Sequence, residues 1–428
     1  MNTERLSVRA GNKLAVLLLA ICLGTAVHAQ EPEEQPEAEP GNESRTDLDH
    51  SLSLAIAQRY GQDDDEPDRD TGLLEAELTM ELQHRFSKTL RANAELELSA
   101  LYLSESALRE QSDYEEVSYE FDTLYVQQRL YDKAFRWRLG RQHVDGLLNQ
   151  TVDANLDGLR LTLERDRHQL DFSFTREDWL RASTDPSDDE IYNALLQYAF
   201  SPTKSSDWLL YALHRDEQAA STNDESSTVG WYGLQSVVEL AQTWRYFLSL
   251  EFRDGEETDD NETETLGGSA ASLGISWHQR GRFKPVFSLG FAQATEDYRQ
   301  SGLHSNEFDR NDRNDFRYFG EALDPELANM QILTLSAGAR IARQWRGDIS
   351  LHTYQQVEAD DRIRGSDLEF DPQGDDKDLG TGADLILEYR HTKNLELQFT
   401  YGLFEPGEAF ESTRDTVFVW QLEMEFEF

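Results

Sequence analysis

The sequence predicts an all-β fold: a transmembrane antiparallel up-and-down β-barrel of about 18 strands, in a bacterial outer membrane, behind a cleaved N-terminal signal peptide. Three observations predict it. Long stretches alternate apolar and polar residues with period two, the connections between them alternate long and short, and the chain ends on an amphipathic strand with an aromatic terminus. In hydrocarbon an unpaired backbone polar group costs several kcal/mol, so strands that span a membrane must close into a barrel.

At the N-terminus, Arg5, Arg9 and Lys13 precede the apolar run Leu14 to Leu23, and small residues follow at Val27-His-Ala29. Residues 1–29 therefore read as a secretory signal. Its apolar run falls short of the ~20 residues a helix needs to cross a bilayer. Leu19-Ala-Ile-Cys22 has the outline of a lipoprotein processing site, but Ile21 is bulky for that role. Cleavage after Ala29 removes Cys22, the single cysteine, so the mature chain has no internal disulfide. Residues 30–47 are acidic and proline-bearing with almost no apolar anchor, and are expected to be a disordered periplasmic leader. The barrel is expected over 48–428.

Within the barrel, Leu74 to Leu82, Leu90 to Leu98 and Leu395 to Tyr401 alternate without a break. Only alternate positions of such a span face lipid, which is why a chain with 38% hydrophobic residues can still be a membrane protein. After odd strands come long acidic segments, including 62–70, 254–260 and 295–328. After even strands come short turns, often basic: Ser87-Lys, Arg165-Asp-Arg167, Gln279-Arg-Gly-Arg282, Arg343-Gln-Trp-Arg346 and His391-Thr-Lys393. Long loops face outside and short turns the periplasm, so both termini are periplasmic. Phe135, Trp137, Phe200, Trp208, Trp244, Trp277, Phe283 and Trp345 fall near the short turns, as an interfacial girdle should. In the last strand Phe418, Trp420, Leu422, Met424, Phe426 and Phe428 share one face, and the aromatic terminus resembles the signal read by the barrel-insertion machinery. Outer-membrane lipid and lipopolysaccharide are the surroundings this implies.

The formal charge is −43 and becomes −45 without residues 1–29, which carry three basic side chains and one acidic. Nucleic acid is excluded as a partner of such a surface. An enzyme is the competing class, because outer-membrane lipid hydrolases are also barrels. No serine stands in a nucleophile setting, and the scattered histidines, His352 among them, read as turn or rim residues, so no catalytic residues are nominated. The loops at 63–66, 254–260, 358–361 and 375–378 carry the oxygen ligands that Ca²⁺ takes, without EF-hand spacing; their other reading is solvated, mutually repelling loops. No other metal or cofactor is nominated.

A barrel of this size leaves room for an aqueous channel. If Phe135, Trp137 and Leu139 face lipid, alternation turns Arg136 and Arg138 inward, and likewise Arg91, Arg160, Arg245, Arg253, Arg340 and Arg390. The same parity turns inward Glu75, Glu77, Glu81, Glu95, Glu97, Asp171, Glu251, Asp384, Glu388, Glu396, Glu423, Glu425 and Glu427, so the arginines either line a path or are neutralised by facing acids. Phe316, Arg317, Tyr318 and Phe319 suit a loop that folds into the pore and stacks on sugar rings.

Leu139-Gly-Arg-Gln142 followed by Asp153-Ala-Asn-Leu-Asp-Gly-Leu-Arg160 resembles a paired-strand signature of the alginate-export family of outer-membrane barrels. Phe319 to Met330, Leu379 to Tyr389 and Phe404 to Phe410 are similar to that family's later segments. The resemblance implies a monomeric 18-stranded barrel that passes an anionic exopolysaccharide along lumenal arginines, fed by a periplasmic export complex. The alternatives are a diffusion porin for small acids or oligosaccharides and a surface scaffold that holds polysaccharide.

Overall fold

The computed structural model describes residues 45–428, apart from 61–69, 107–110, 132–133, 178–189, 219–225, 242, 260–261, 310–314, 367, 369, 393, 413 and 428; at several strand ends, among them 101–106, 111–117, 308–309 and 315–317, only the backbone is described. The expected signal segment, most of the expected leader, the acidic run at 63–66 and Phe428 lie outside the described residues.

Among the described residues, twenty strands follow in order. They are β1 (Arg45–Tyr60), β2 (Asp70–Arg85), β3 (Leu90–Ser106), β4 (Gln111–Leu130), β5 (Phe135–Asp145), β6 (Asp153–Arg165), β7 (His168–Arg176), β8 (Glu190–Thr203), β9 (Ser206–Gln218) and β10 (Ser226–Leu240). The second half holds β11 (Trp244–Asp259), β12 (Glu262–His278), β13 (Val286–Ala294), β14 (Glu307–Asp309), β15 (Asp315–Arg317), β16 (Met330–Arg340), β17 (Trp345–Gln356), β18 (Asp378–Arg390), β19 (Leu395–Pro406) and β20 (Val417–Glu427). Eighteen of them form one sheet of antiparallel neighbours, with β13 beside β16, and β20 pairs with β1 to close it. The two left over, β14 and β15, make a small hairpin inside the loop between β13 and β16.

Closure satisfies every edge, and alternation sets the two faces. Leu139, Leu159, Phe174, Leu335, Ile349 and Leu351 stand on the outer face with large exposed surfaces, as a lipid-facing wall requires. Near the short turns the aromatics touch across strands: Tyr198–Phe200–Trp208 with centroids 5.6 and 6.1 Å apart, Trp244–Trp277–Phe287 at 6.4 and 5.8 Å, and Trp345–Tyr389 at 4.7 Å. This is the interfacial girdle.

Three boundaries differ from the sequence reading. The first strand begins at Arg45, inside the expected leader. Residues 254–259, expected as a loop, continue β11, because strands that rise beyond the bilayer into water can stay paired without an apolar face. The loop between β13 and β16 carries the hairpin and is not a plain connection.

That loop and the one between β5 and β6 fold into the barrel. Val152, Tyr298, Leu303, Phe319, Leu323 and Leu327 from the loops are buried against Leu195, Leu209, Tyr211, Leu213, Trp231, Ile332, Tyr354 and Phe404 from the wall. Fully burying each such side chain contributes roughly 1.5–3 kcal/mol. Polar ties fix the same loops: the Gln235 amide oxygen accepts from the backbone N–H of Leu147 (3.0 Å) and Leu148 (3.1 Å), and Gln300 donates to the Gln150 carbonyl (2.7 Å).

Candidate functional site

The strand pair β5–β6 explains its own signature. Gly140 and Gly158 stand directly opposite one another, and the buried Gln142 amide donates to both of their carbonyls, at 3.3 and 3.2 Å. Gly140 has φ +125°, and a Cβ there would lie 2.1 Å from the Leu124 carbonyl oxygen. Only glycine permits that approach.

Beside this motif four of the nominated arginines converge. Arg91, Gln127, Arg138 and Arg160 occupy one row of directly facing positions across β3, β4, β5 and β6. Arg129, Arg136, Thr162 and Asp171 make the next row, on β4 to β7. The partners differ in charge. Arg160 Nε donates to Asp171 at 3.2 Å and is neutralised. Arg91 and Arg138 donate to the single oxygen of Gln127, at 3.3 and 3.0 Å, and Arg136 donates to the Thr162 hydroxyl at 3.3 Å. Arg138 also lies over the Tyr125 ring, 4.7 Å from its centroid. Among the described residues no carboxylate pairs with Arg91, Arg136 or Arg138. Three guanidinium charges on one wall are held in place by neutral groups.

The remaining nominees are elsewhere. Arg245 lines a small cavity of about 50 Å³ together with Phe247, Tyr318 and Phe319. Arg253, near the outer end of β11, donates to the Asp297 carbonyl (3.0 Å) and faces Trp231. Arg340 and Arg390 stand at the short-turn end, where Arg390 pairs with Glu396. Of the pore-loop residues, Tyr318 and Phe319 are buried inside the barrel: Tyr318 packs 5.8 Å from Phe247, and the Phe319 carbonyl accepts from the Tyr354 hydroxyl at 2.8 Å. The side chains of Phe316 and Arg317 lie outside the described residues.

The inward acids divide in the same way. Asp171, Glu388 and Glu396 meet arginines. Glu251 accepts from Thr151 (2.5 Å) and from Tyr211, anchoring the β5–β6 loop. Asp384 accepts from the Glu321 N–H (3.2 Å) and meets His352 at 2.8 Å, so this histidine is a buried wall residue that helps hold a loop, and not a rim residue. Glu75, Glu77, Glu81, Glu95, Glu97, Glu423 and Glu425 belong to β20, β2 and β3, a wall that reaches Arg91.

Sequence reading missed the neutral partners Gln127, Tyr125 and Thr162, although their parity was readable once the arginine rows were drawn. It also missed an outer group. Arg299 donates to the carbonyls of Glu296 (2.6 Å) and Tyr298 (2.7 Å); burial first, then Arg364 and Arg253 nearby, lowers its pKa to about 10. Burial raises Glu326 against the pull of the same three arginines. Among the described residues no group of three or more His, Cys, Asp or Glu side chains is placed to hold a metal.

Solved structures with this architecture include OccK7 (OpdD) of Pseudomonas aeruginosa, at TM-score 0.58 and 12% identity over 89% of this chain and 99% of that one. OccAB4 of Acinetobacter baumannii gives 0.56 and 13%, over 93% and 100%. OprD, the outer membrane protein of P. aeruginosa, gives 0.53 and 10%, over 90% and 94%. At such identities the likeness shows the fold. In sequence, the chain is 25% identical over 178 residues to the alginate production protein AlgE of P. aeruginosa, covering 35% of this chain and 36% of the relative. Against AlgE of Pseudomonas syringae pv. tomato it is 22% identical over 343 residues, 65% of this chain and 68% of the relative. A girdled, closed barrel with such neighbours is an outer-membrane protein. The alginate export family model matches residues 34–418, nearly the whole described barrel, and the chain belongs to that family.

Proposed function

We propose that this outer-membrane channel passes an anionic, alginate-like exopolysaccharide, and that Arg91, Arg136 and Arg138 draw the polymer through. The observation that carries this reading is the neutral partnership of those three guanidiniums. A guanidinium can fork onto a uronate carboxylate. At 4 Å the attraction is ~4 kcal/mol at an effective dielectric of 20 and ~1 kcal/mol in water, so several such sites bind without trapping. The net charge of −43 acts against a polyanion only at long range, because physiological salt screens it beyond ~8 Å. Tyr318 and Phe319 are buried in the inward loop against Phe247 and each other, so on this reading they narrow the path and do not themselves stack on the sugar rings. Insertion machinery that reads the terminal strand and a periplasmic complex that feeds the pore belong to the same reading, as does function without catalysis.

The test is single-channel current in planar bilayers with and without oligouronate. Block of the parent, weakened about tenfold or more in Arg138→Ala with Arg160→Ala, supports the proposal, tenfold being ~1.4 kcal/mol. Passage of small acids with no block would make the protein a diffusion porin, and no permeation at all would make it a scaffold.

A further inference from the structure

We infer a second polyuronate site, a loading basin at the periplasmic mouth, separate from the arginine rows of β3–β6; its ligand class rests on the function proposed above. An open hollow of about 800 Å³ is lined there by Arg280, Lys284, Arg340, Arg343, Arg346 and Arg390, with Glu388 as its acid. In a chain of net charge −43 this balance is inverted.

The cations are not all spent on the fold. Arg346 forks onto Asp348 at 2.8 and 3.2 Å, and Arg390 is held by Glu396. Among the described residues, the side chains of Lys284, Arg340 and Arg343 have neither an ion pair nor a hydrogen bond. Arg340 also directly faces Arg346 across β16–β17. Arg346 is neutralised by Asp348 and faces Glu388 on its other side, so the charge left over in this row is that of Arg340.

The rim is preformed. The Arg340 N–H donates to the Phe283 carbonyl (2.7 Å), the Gln279 N–H to that of Pro285 (2.9 Å), the Arg390 N–H to that of Gln344 (2.9 Å), and the Gln344 side chain to that of His391 (2.7 Å). Three short turns are thereby laced into one basic edge, which lowers the ordering cost of capture. The strands that carry Arg340 and Val286, near Lys284, also line the small cavity under Tyr318 and Phe319, through Ser336 and Ser288. The basin and the cavity under Tyr318 therefore share one wall of the barrel, at the end a periplasmic polymer must enter, which favours a threading polymer over a folded acidic protein as the occupant.

The experiment is calorimetric titration of the full, detergent-folded chain with a hexauronate. The parent is expected to show two classes of site. Arg340→Ser with Arg343→Ser should remove one, or weaken it at least tenfold, while Arg138→Ala with Arg160→Ala affects the other; Arg340→Lys with Arg343→Lys should retain both. Heat-modifiable gel mobility verifies that each barrel has folded. If the serine variant titrates like the parent while the β5–β6 variant does not, the basin is overturned and the proposed function stands. If neither variant differs from the parent, both are overturned. Binding of an acidic protein in place of the hexauronate also overturns the basin.

Discussion

Two regions of one lumen are built on opposite rules. On the β8–β13 side, inward positions are apolar or tied to loops, and Leu209, Tyr211, Leu213 and Trp231 are buried against Phe319, Leu323 and Tyr298. On the β2–β6 side, many inward positions carry charge, and Arg91, Arg136 and Arg138 there are held by the neutral groups Gln127 and Thr162 with no loop side chain among their hydrogen-bond partners. The difference teaches that inward alternation does not by itself define a pore wall. What an inward residue does depends on whether a loop reaches it and whether its partner carries a charge.

The largest expected effect comes from breaking the filled side. Phe319→Ala removes a fully packed ring, a loss of about 3–5 kcal/mol in a core. The β13–β16 loop should undock, with single-channel conductance rising severalfold and protease cutting within 296–328. Unchanged conductance would mean the loop does not restrict the lumen.

Next is the charged side, where the two kinds of arginine should separate. Arg138→Ala should weaken oligouronate block about tenfold, ~1.4 kcal/mol, and Arg160→Ala much less, because Asp171 already neutralises Arg160. Asp171→Asn should strengthen block by freeing that charge. Equal effects of the two alanine variants would remove the distinction between neutral and acidic partners.

Between the regions lies the glycine pair. Gly140→Ala pushes a methyl group against the Leu124 carbonyl, in a backbone conformation alanine resists. A loss of about 1–3 kcal/mol is expected on urea titration of the folded barrel.

The smallest effect is on pH. His304 in the inward loop is lowered to about 4 by burial alone. A lowered folded value means that its contribution is complete above ~6.5 and lost as pH falls through about 4. Glu326, raised by burial, works the other way, since the folded state takes up its proton more readily. Conductance should therefore rise modestly between pH 6.5 and 4, and His304→Gln should abolish the rise.

The barrel was legible because alternation is a local property: Leu74 to Leu82 shows its two faces without help from the rest of the chain. The inward direction of Arg138 and Arg160 followed from the same parity. Their partners did not, because Gln127 and Asp171 are brought opposite them by strand register, and register depends on turn lengths and on the irregularity near Glu95. The fate of Glu251 and His352 was further out of reach. Each is committed to a loop distant in sequence, through Thr151 and, by way of Asp384, Glu321. The resemblance at 139–160 pointed to the right family, yet its glycines and Gln142 shape the wall and do not themselves offer charge.

The most direct test of the central claim, that unneutralised guanidiniums set the character of the lumen, is the zero-current potential of the channel across a KCl gradient. The parent should prefer anions, and the triple change Arg91→Ala, Arg136→Ala and Arg138→Ala should abolish or reverse that preference in a barrel that still folds. A parent that prefers cations to the same degree with and without the three arginines would contradict the account.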